Sequence, residues 1–354
     1  MKKVFAQIKG LFNKKMADVP SPMESMTAQE KNDANQKLSK AIFYVLCCVI
    51  FLFPVFFVPV LANWFDLPKA TLLLAGVLVA AILWLVQGGM SKKFSIARSP
   101  FDIPALAFVV VSVVSAALTV NKVMNLSGDP VVYCGGFLLF FLLSQLVNKG
   151  NKVMSVVNAV LASVTVLSVW SLVQQLGIFT KVNFSLFNQV FNPTGAYLAQ
   201  AMLLAAVLPL ALGAYLKTKK GLNAVFLAVT AASLVVSVFV LYKNPPVLLN
   251  VESGWKVSTG TMGKSLTSAI FGVGPANYVD AFTLYKPAEF NTTKYWNMRF
   301  TGGANFYFYL LSTMGIAGLA ALVLLISKLV IISKKHLELP TTDVLEKGLI
   351  GSLG

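Results

Sequence analysis

The residues able to do chemistry gather in one polar stretch, 243–303, between two apolar segments. Its cations are Lys243, Lys256, Lys264, Lys286, Lys294 and Arg299; its acids are Glu252, Asp280 and Glu289. An excess of cations beside a membrane suits a diphosphate-bearing lipid. Arginine grips phosphate oxygens through paired N–H bonds, and lysine adds a point charge. Arg299, with Lys256 and Lys264, is the expected grip, and Lys294 adds to the field. A carboxylate takes a proton from a hydroxyl when burial raises its pKa, which makes Glu252 and Asp280 the candidate bases. A solvated loop, with Arg299 as a snorkelling anchor, is the plainer reading of the same residues. In a second polar connection, 176–194, Phe184, Phe187 and Phe191 recur at helical spacing with Asn183, Asn188 and Asn192 between them. This reads either as an interfacial helix with aromatic anchors or as a cavity wall whose Asn188 and Asn192 bond hydroxyl groups.

Inside the longer stretch lies "FGVGPANY" (271–278), which has the look of a glycine-rich phosphate loop. A Walker A loop requires G-x-x-x-x-G-K-[ST], and a dinucleotide turn requires a preceding strand and G-x-G-x-x-G. Neither is present; Asn277 stands where the third glycine would be. The surrounding pattern is helix, turn, helix. Ser253 is placed to cap a helix whose stripe is Trp255, Thr259, Met262, Leu266 and Ile270. Gly272 and Gly274 end it in a left-handed turn, with Pro275 as a stop. A second helix fits "ANYVDAFTLYKP", with Tyr278, Phe282 and Tyr285 on one side. The glycines and proline are expected to form a rigid corner. Further on, Arg299 precedes the last long apolar segment by about one turn, and Asn305 stands at that segment's start.

The elements that must position these residues are membrane helices. Of the 354 residues, 57% are hydrophobic and only 12% charged, and the mean hydropathy is +0.75. The apolar runs are continuous, which excludes a β-barrel and implies an all-α polytopic bundle. Eight spans are expected, at 41–63, 68–88, 102–119, 130–147, 152–175, 195–216, 221–242 and 304–333, with Pro54 and Pro59 kinking the first. Lysines and arginine cluster after alternate spans: Lys92, Lys93 and Arg98; Lys149 and Lys152; Lys217, Lys219 and Lys220; Lys334 and Lys335. By the positive-inside rule the N-terminus is cytoplasmic, and loops 176–194 and 243–303 lie outside. The net charge of +16 is thereby explained without nucleic acid. Residues 1–15 fit a basic amphipathic helix on an anionic membrane surface, joined to the first span by a polar linker over 16–38. Residues 1–40 thus form a cytoplasmic lead, 41–333 the transmembrane domain, and 334–354 a tail or the start of a further span of a truncated chain. Cys47, Cys48 and Cys134 lie in apolar segments, and His336 is the single histidine; no metal or other cofactor is expected.

In their order, several stretches resemble the O-antigen ligase and O-antigen polymerase superfamily of bacterial membrane glycosyltransferases. They are "FNPTGAYLA" (191–199), "SGW" (253–255), "IFGVGPANYVDAFTLYKP" (270–287) and "RFTGGANFYFYLLSTMGIAGL" (299–319). The resemblance covers roughly 60–330. It implies transfer or polymerisation of a glycan from a polyprenyl diphosphate carrier to a glycan, lipid or protein acceptor, at the outer face of the bacterial cytoplasmic membrane. Arginines would hold the leaving group, as Arg299 matches, while Trp255 and tyrosines such as Tyr285 would stack on sugars. The sequence departs from the family in two places. Ala304-Asn305 replaces the ligases' His-Asn, and Val251-Glu252-Ser253 stands where an arginine precedes the loop tryptophan. A degenerate carrier-binding homologue is therefore one alternative. A transporter or flippase is another; it calls for intramembrane charge and broken helices, and Asp102 is the one acid the sequence reading places near the bilayer.

Overall fold

The computed structural model describes residues 28–61, 63–91, 96–119, 128–147, 150–177, 191–338 and 343–353. Residues 1–15, most of the 16–38 linker, Asn183 and Asn188 lie outside the described residues. Among those described, every regular element is helical. The long helices are α1 (Ala28–Val55), α2 (Asp66–Ser91), α3 (Asp102–Leu118), α4 (Asp129–Leu146), α5 (Gly150–Gln175), α6 (Tyr197–Thr218) and α7 (Gly221–Lys243). The loop helices α8 (Val251–Gly263), α9 (Leu266–Phe271), α10 (Tyr278–Tyr285) and a 3-10 turn (Ala288–Thr292) follow, then α11 (Phe306–Leu337) and α12 (Val344–Leu353). Among the described residues, seven helices are long and apolar enough to cross a membrane; α3 is also apolar but shorter. The protein is a multi-pass helical bundle.

Each long helix forms for a common reason: in hydrocarbon a backbone must satisfy its own N–H and C=O groups. The helices pack as a row. α12 lies on α6, α6 on α5 and α7, α5 on α1, α1 on α2, α2 on α4, α4 on α3, and α3 on α11. One apolar cluster joins α1, α2 and α4 through Leu46, Val77 and Leu142. Another joins α5, α6 and α12 through Leu161, Ala211 and Leu345.

Three local differences from the sequence reading have physical causes. Helix α1 starts at Ala28, so the linker's last residues are a helical extension of the span. Pro54 sits in the last turn of α1 and Pro59 beyond it, so together they end the helix rather than kink it. The long amphipathic loop helix is two helices. α8 is capped by Asn250, whose side chain accepts from the Ser253 N–H; α9 is capped by Ser265, which accepts from Ser268. Leu266 and Ile270 thus belong to α9.

Candidate functional site

The site's foundation is a break in α11. Gly315 has φ 64° and ψ −162°, outside the helical region, so the carbonyls of Ser312 and Thr313 lose their helical N–H partners. The corner at 271–278 supplies replacements. The Val273 N–H donates to the Ser312 oxygen at 3.0 Å, and the Gly274 N–H to the Thr313 oxygen at 2.9 Å. The Ser115 hydroxyl of α3 lies 2.8 Å from the Thr313 oxygen and 2.6 Å from that of Phe271. The two backbones touch. A Cβ on Gly272 would lie 2.2 Å from the Thr313 carbonyl carbon, and one on Gly315 would lie 2.5 Å from that of Ile270. Gly272 also has φ 72°, a conformation L side chains adopt at a cost. The expected corner is present, and it is docked on a broken helix.

Helix α8 crosses the entry to α11 and its first turns through small residues. Gly254 meets Ala304, and the Ser258 hydroxyl lies 3.0 Å from that of Ser312. Small side chains allow this close approach between helices. Above the crossing, Val257, Tyr278, Ala281 and Phe282 make a separate loop core. Phe282 meets Phe290 and Phe300 edge-on at 5.3 and 5.4 Å between centroids. The stretch 250–300 is therefore a folded cap over the ends of α3 and α11.

Under this cap lies a cavity of about 600 Å³. Of the sequence-predicted residues it brings together Lys264, Asp280 and Tyr285, joined by Asn277, Ser265 and Thr119. Lys264 and Asp280 are exposed side chains with no ion pair among the described residues, so the burial expected of a base at Asp280 is absent and its candidacy rests on its place at the cavity. A cation and a carboxylate at one cavity can neutralise a leaving anion and accept a proton.

The other predicted residues lie elsewhere. Glu252 and Lys256 pair with each other on α8 at 2.9 Å, and Glu289 approaches the same ammonium at 4.0 Å. The Glu252 carboxylate, by its hydrogen bond, holds the Lys256 ammonium above its ordinary range. Arg299 is exposed and outside the cavity lining. Lys294 sits 5.0 Å over the ring of Tyr295. Trp255 is half exposed, with its ring 5.5 Å from that of Phe308. Asn305 caps α11 by accepting from the Phe308 N–H at 2.9 Å. Asn192 is buried: its oxygen accepts from the Thr194 N–H at 2.9 Å, and its amide donates to Gln200. These last two asparagines spend their polar atoms on the fold.

One group escaped the sequence reading. Asp129, at the start of α4, lies under the cap, against the Tyr309 hydroxyl and 3.5 Å from that of Tyr133. The Tyr309 hydroxyl is also 2.5 Å from the Pro275 carbonyl oxygen. Asp102 is thus not the sole acid at a span edge. The signal was available: an acid before Pro130 at the opening of an apolar run.

No protein-family model matches the chain, and comparisons with curated proteins and with solved structures likewise return no match.

Proposed function

We propose that the protein is a membrane glycosyltransferase of the O-antigen ligase or polymerase type. It works on a polyprenyl diphosphate-linked glycan at the outer face of a bacterial cytoplasmic membrane. The observation carrying this reading is the folded cap, which forms an open pocket with Lys264 and Asp280 both on its lining. An unstructured loop would have offered no such site. In the reaction, an acceptor hydroxyl oxygen bonds to the anomeric carbon of the donor sugar. The bond from that carbon to the diphosphate oxygen breaks, and its electron pair leaves with the carrier. Asp280 takes the hydroxyl proton, and Lys264 offsets the charge developing on the diphosphate. Glu252 is committed to Lys256, so it is the weaker candidate base; Arg299 serves the carrier lipid's approach rather than the reacting bond.

The test is reconstitution in liposomes with a polyprenyl diphosphate-linked glycan. Transfer is expected, with Asp280→Asn slowing it by roughly a hundredfold or more. Transfer at the wild-type rate by that variant would sink the role of Asp280, and no transfer by the intact protein would sink the reading. The broken α11 favours a second reading, a transporter, because such helices expose carbonyls to ions. Here the carbonyls of Ser312 and Thr313 already have N–H donors, which weakens that argument for transport. Substrate uptake by sealed vesicles would reverse that preference.

A further inference from the structure

The corner at 271–278 docks on α11 well inside the span. Helix α4 has 18 residues, about 27 Å of helix, which nearly matches the thickness of a hydrocarbon core. Its first residue, Asp129, therefore stands at the hydrocarbon boundary. The Tyr309 hydroxyl meets the Asp129 carboxylate, which sets Tyr309 at that level. From Tyr309 to Gly315 is a further roughly 9 Å along α11, and Gly315 is where the Ile270 backbone touches. Ser115, about one turn before the end of α3, reaches the Phe271 carbonyl at 2.6 Å. The end of α9 and the corner thus lie at hydrocarbon depth. Irregular backbone is tolerated there only where protein meets its polar groups, and α11 meets the Val273 and Gly274 N–H groups. The side chains flanking the contact agree. Ile270 is 38% and Ile316 51% exposed, which at this depth is exposure to lipid.

The pocket beside the corner adjoins the same lipid. One face of α3 carries Ile103, Leu106, Val110 and Val113 at helical spacing, all about half exposed or more, while Ser112 and Ser115 on the other face are buried. The bare stripe leads to Leu118, which lines the pocket with Leu284; both are exposed. Polar side chains share the lining, Lys264 and Asp280 among them. These two are its one cation and its one carboxylate among the described residues, and neither has an ion pair. A phosphate alone would answer Lys264 and be repelled by Asp280. A head that also carries a primary ammonium answers both, because the ammonium donates to the carboxylate. We infer that the pocket is entered from the lipid leaflet on the cap's side and seats an ethanolamine phospholipid: phosphate on Lys264, ammonium on Asp280, chains along α3. This goes beyond the glycosyl-transfer reading and does not rest on it; a lipid diphosphate would compete for Lys264.

Two measurements on the full-length protein test it. The first is depth. Cys47, Cys48 and Cys134 are replaced by alanine, and an environment-sensitive fluorophore is attached in liposomes at Ile270→Cys, Val110→Cys or Glu289→Cys. The Ile270 label should be quenched by nitroxides on the lipid chains, as the Val110 label is. The label at Glu289, an exposed acid, should be quenched by aqueous iodide. An Ile270 label that behaves like the Glu289 label overturns the inference. The second is binding. Native mass spectrometry of the detergent-purified protein follows retention of phosphatidylethanolamine, phosphatidylglycerol and phosphatidylcholine with equal chains. The ethanolamine lipid should be retained in excess. Lys264→Ala and Asp280→Asn should each cut that retention by about fivefold, and Lys264→Arg should keep it. Both side chains are exposed, so the fold should stand, with unchanged proteolysis of the cap as the check. Equal retention of the three lipids, or retention untouched by either variant, overturns the inference. Transfer from a polyprenyl diphosphate donor is a separate measurement. Transfer without ethanolamine-lipid retention removes this inference alone; retention without transfer removes only the glycosyltransferase reading.

Discussion

Two regions of the molecule bury polar groups in apolar surroundings, and they satisfy them differently. Under the cap, α11 is broken, and backbone groups of the corner bond to backbone groups of the break. In the α5–α6–α7 seam the helices are whole, and side chains must bond to one another. Gln200, fully buried, is the hub there. Its oxygen accepts from Ser171 at 2.8 Å and from Asn192, and its amide lies 3.2 Å from the Ser233 hydroxyl. The difference teaches which residues each region cannot spare. Where backbones meet, the absence of a side chain decides the contact; where helices meet, the identity of an amide does.

The sharpest way to break this contrast is at the break itself. Gly315→Ala places a methyl 2.5 Å from the Ile270 carbonyl at φ 64°. Left-handed strain and overpacking together should cost roughly 2–5 kcal/mol. The cap should undock before the bundle melts, seen as faster proteolysis between 243 and 303 with little change in helical content. Gly302→Ala, where a methyl would meet open space, should leave proteolysis unchanged. Equal sensitivity at both glycines would remove the claim that backbone contact holds the cap.

Next in size is the hub. Gln200→Leu strands Ser171, Ser233 and the Asn192 amide together. Hydrogen bonds between membrane helices average about 0.6 kcal/mol each, so a loss of roughly 1–2 kcal/mol is expected. It should appear as a lower unfolding temperature in detergent with cap proteolysis unaffected. A loosened cap in this variant would show that the two regions are one cooperative unit.

The same contrast explains what could be read in advance. Seven of the eight expected spans were legible because about 20 apolar residues suffice to cross a bilayer; the one expected at 102–119 is a helix too short to count with them. The corner was legible because Gly272, Gly274 and Pro275 punctuate a helical pattern. The break at Gly315 was not: "STMGIAG" reads as an ordinary span, and only the distant Ile270 backbone makes its glycine necessary. The cavity was half legible. Lys264, Asp280 and Tyr285 come from neighbouring loop helices, and their types announced chemistry. Asn277 was seen as a missing glycine rather than as a side chain, and its partner Thr119 lies 158 positions away. Arg299 and Glu252 had the right chemistry; Glu252's pairing with Lys256 was legible in its i,i+4 spacing but hidden by placing the helix start at Ser253 rather than Val251, and Arg299's place outside the cavity had no signal in its position along the chain.

A smaller effect separates the cap by pH. Burial pushes the Tyr278 phenol up to about 12, above its ordinary value near 10. The folded cap keeps the phenol neutral where the unfolded chain has ionised it. Its contribution is therefore full below pH ~10 and is lost as pH rises toward about 12. Tyr278→Phe should flatten that part of the cap's alkaline instability, measured by proteolysis against pH, and should leave the α5–α6–α7 seam untouched. An unchanged alkaline profile would assign the instability to other groups.

The smallest effect belongs to the other end of the row. α12 runs antiparallel along α6: Asp343 pairs with Lys217, Gly348 meets Gly213, and Gly351 meets Pro209. The Lys217 ammonium holds the Asp343 carboxyl below its ordinary range, so the pair's stabilisation is present above pH ~4 and fades as pH falls through the lowered value. Both side chains are well exposed, and such pairs contribute only about 0.2–1 kcal/mol. Asp343→Asn should therefore shift the melting temperature by a degree or two at most, and high salt should erase the difference. Gly348→Val is expected to do far more, because the crossing has no room for a side chain. If the two variants proved equal, charge rather than close backbone approach would be what seats α12. The contrast between regions held by backbone and regions held by side chains would then stop at the cap.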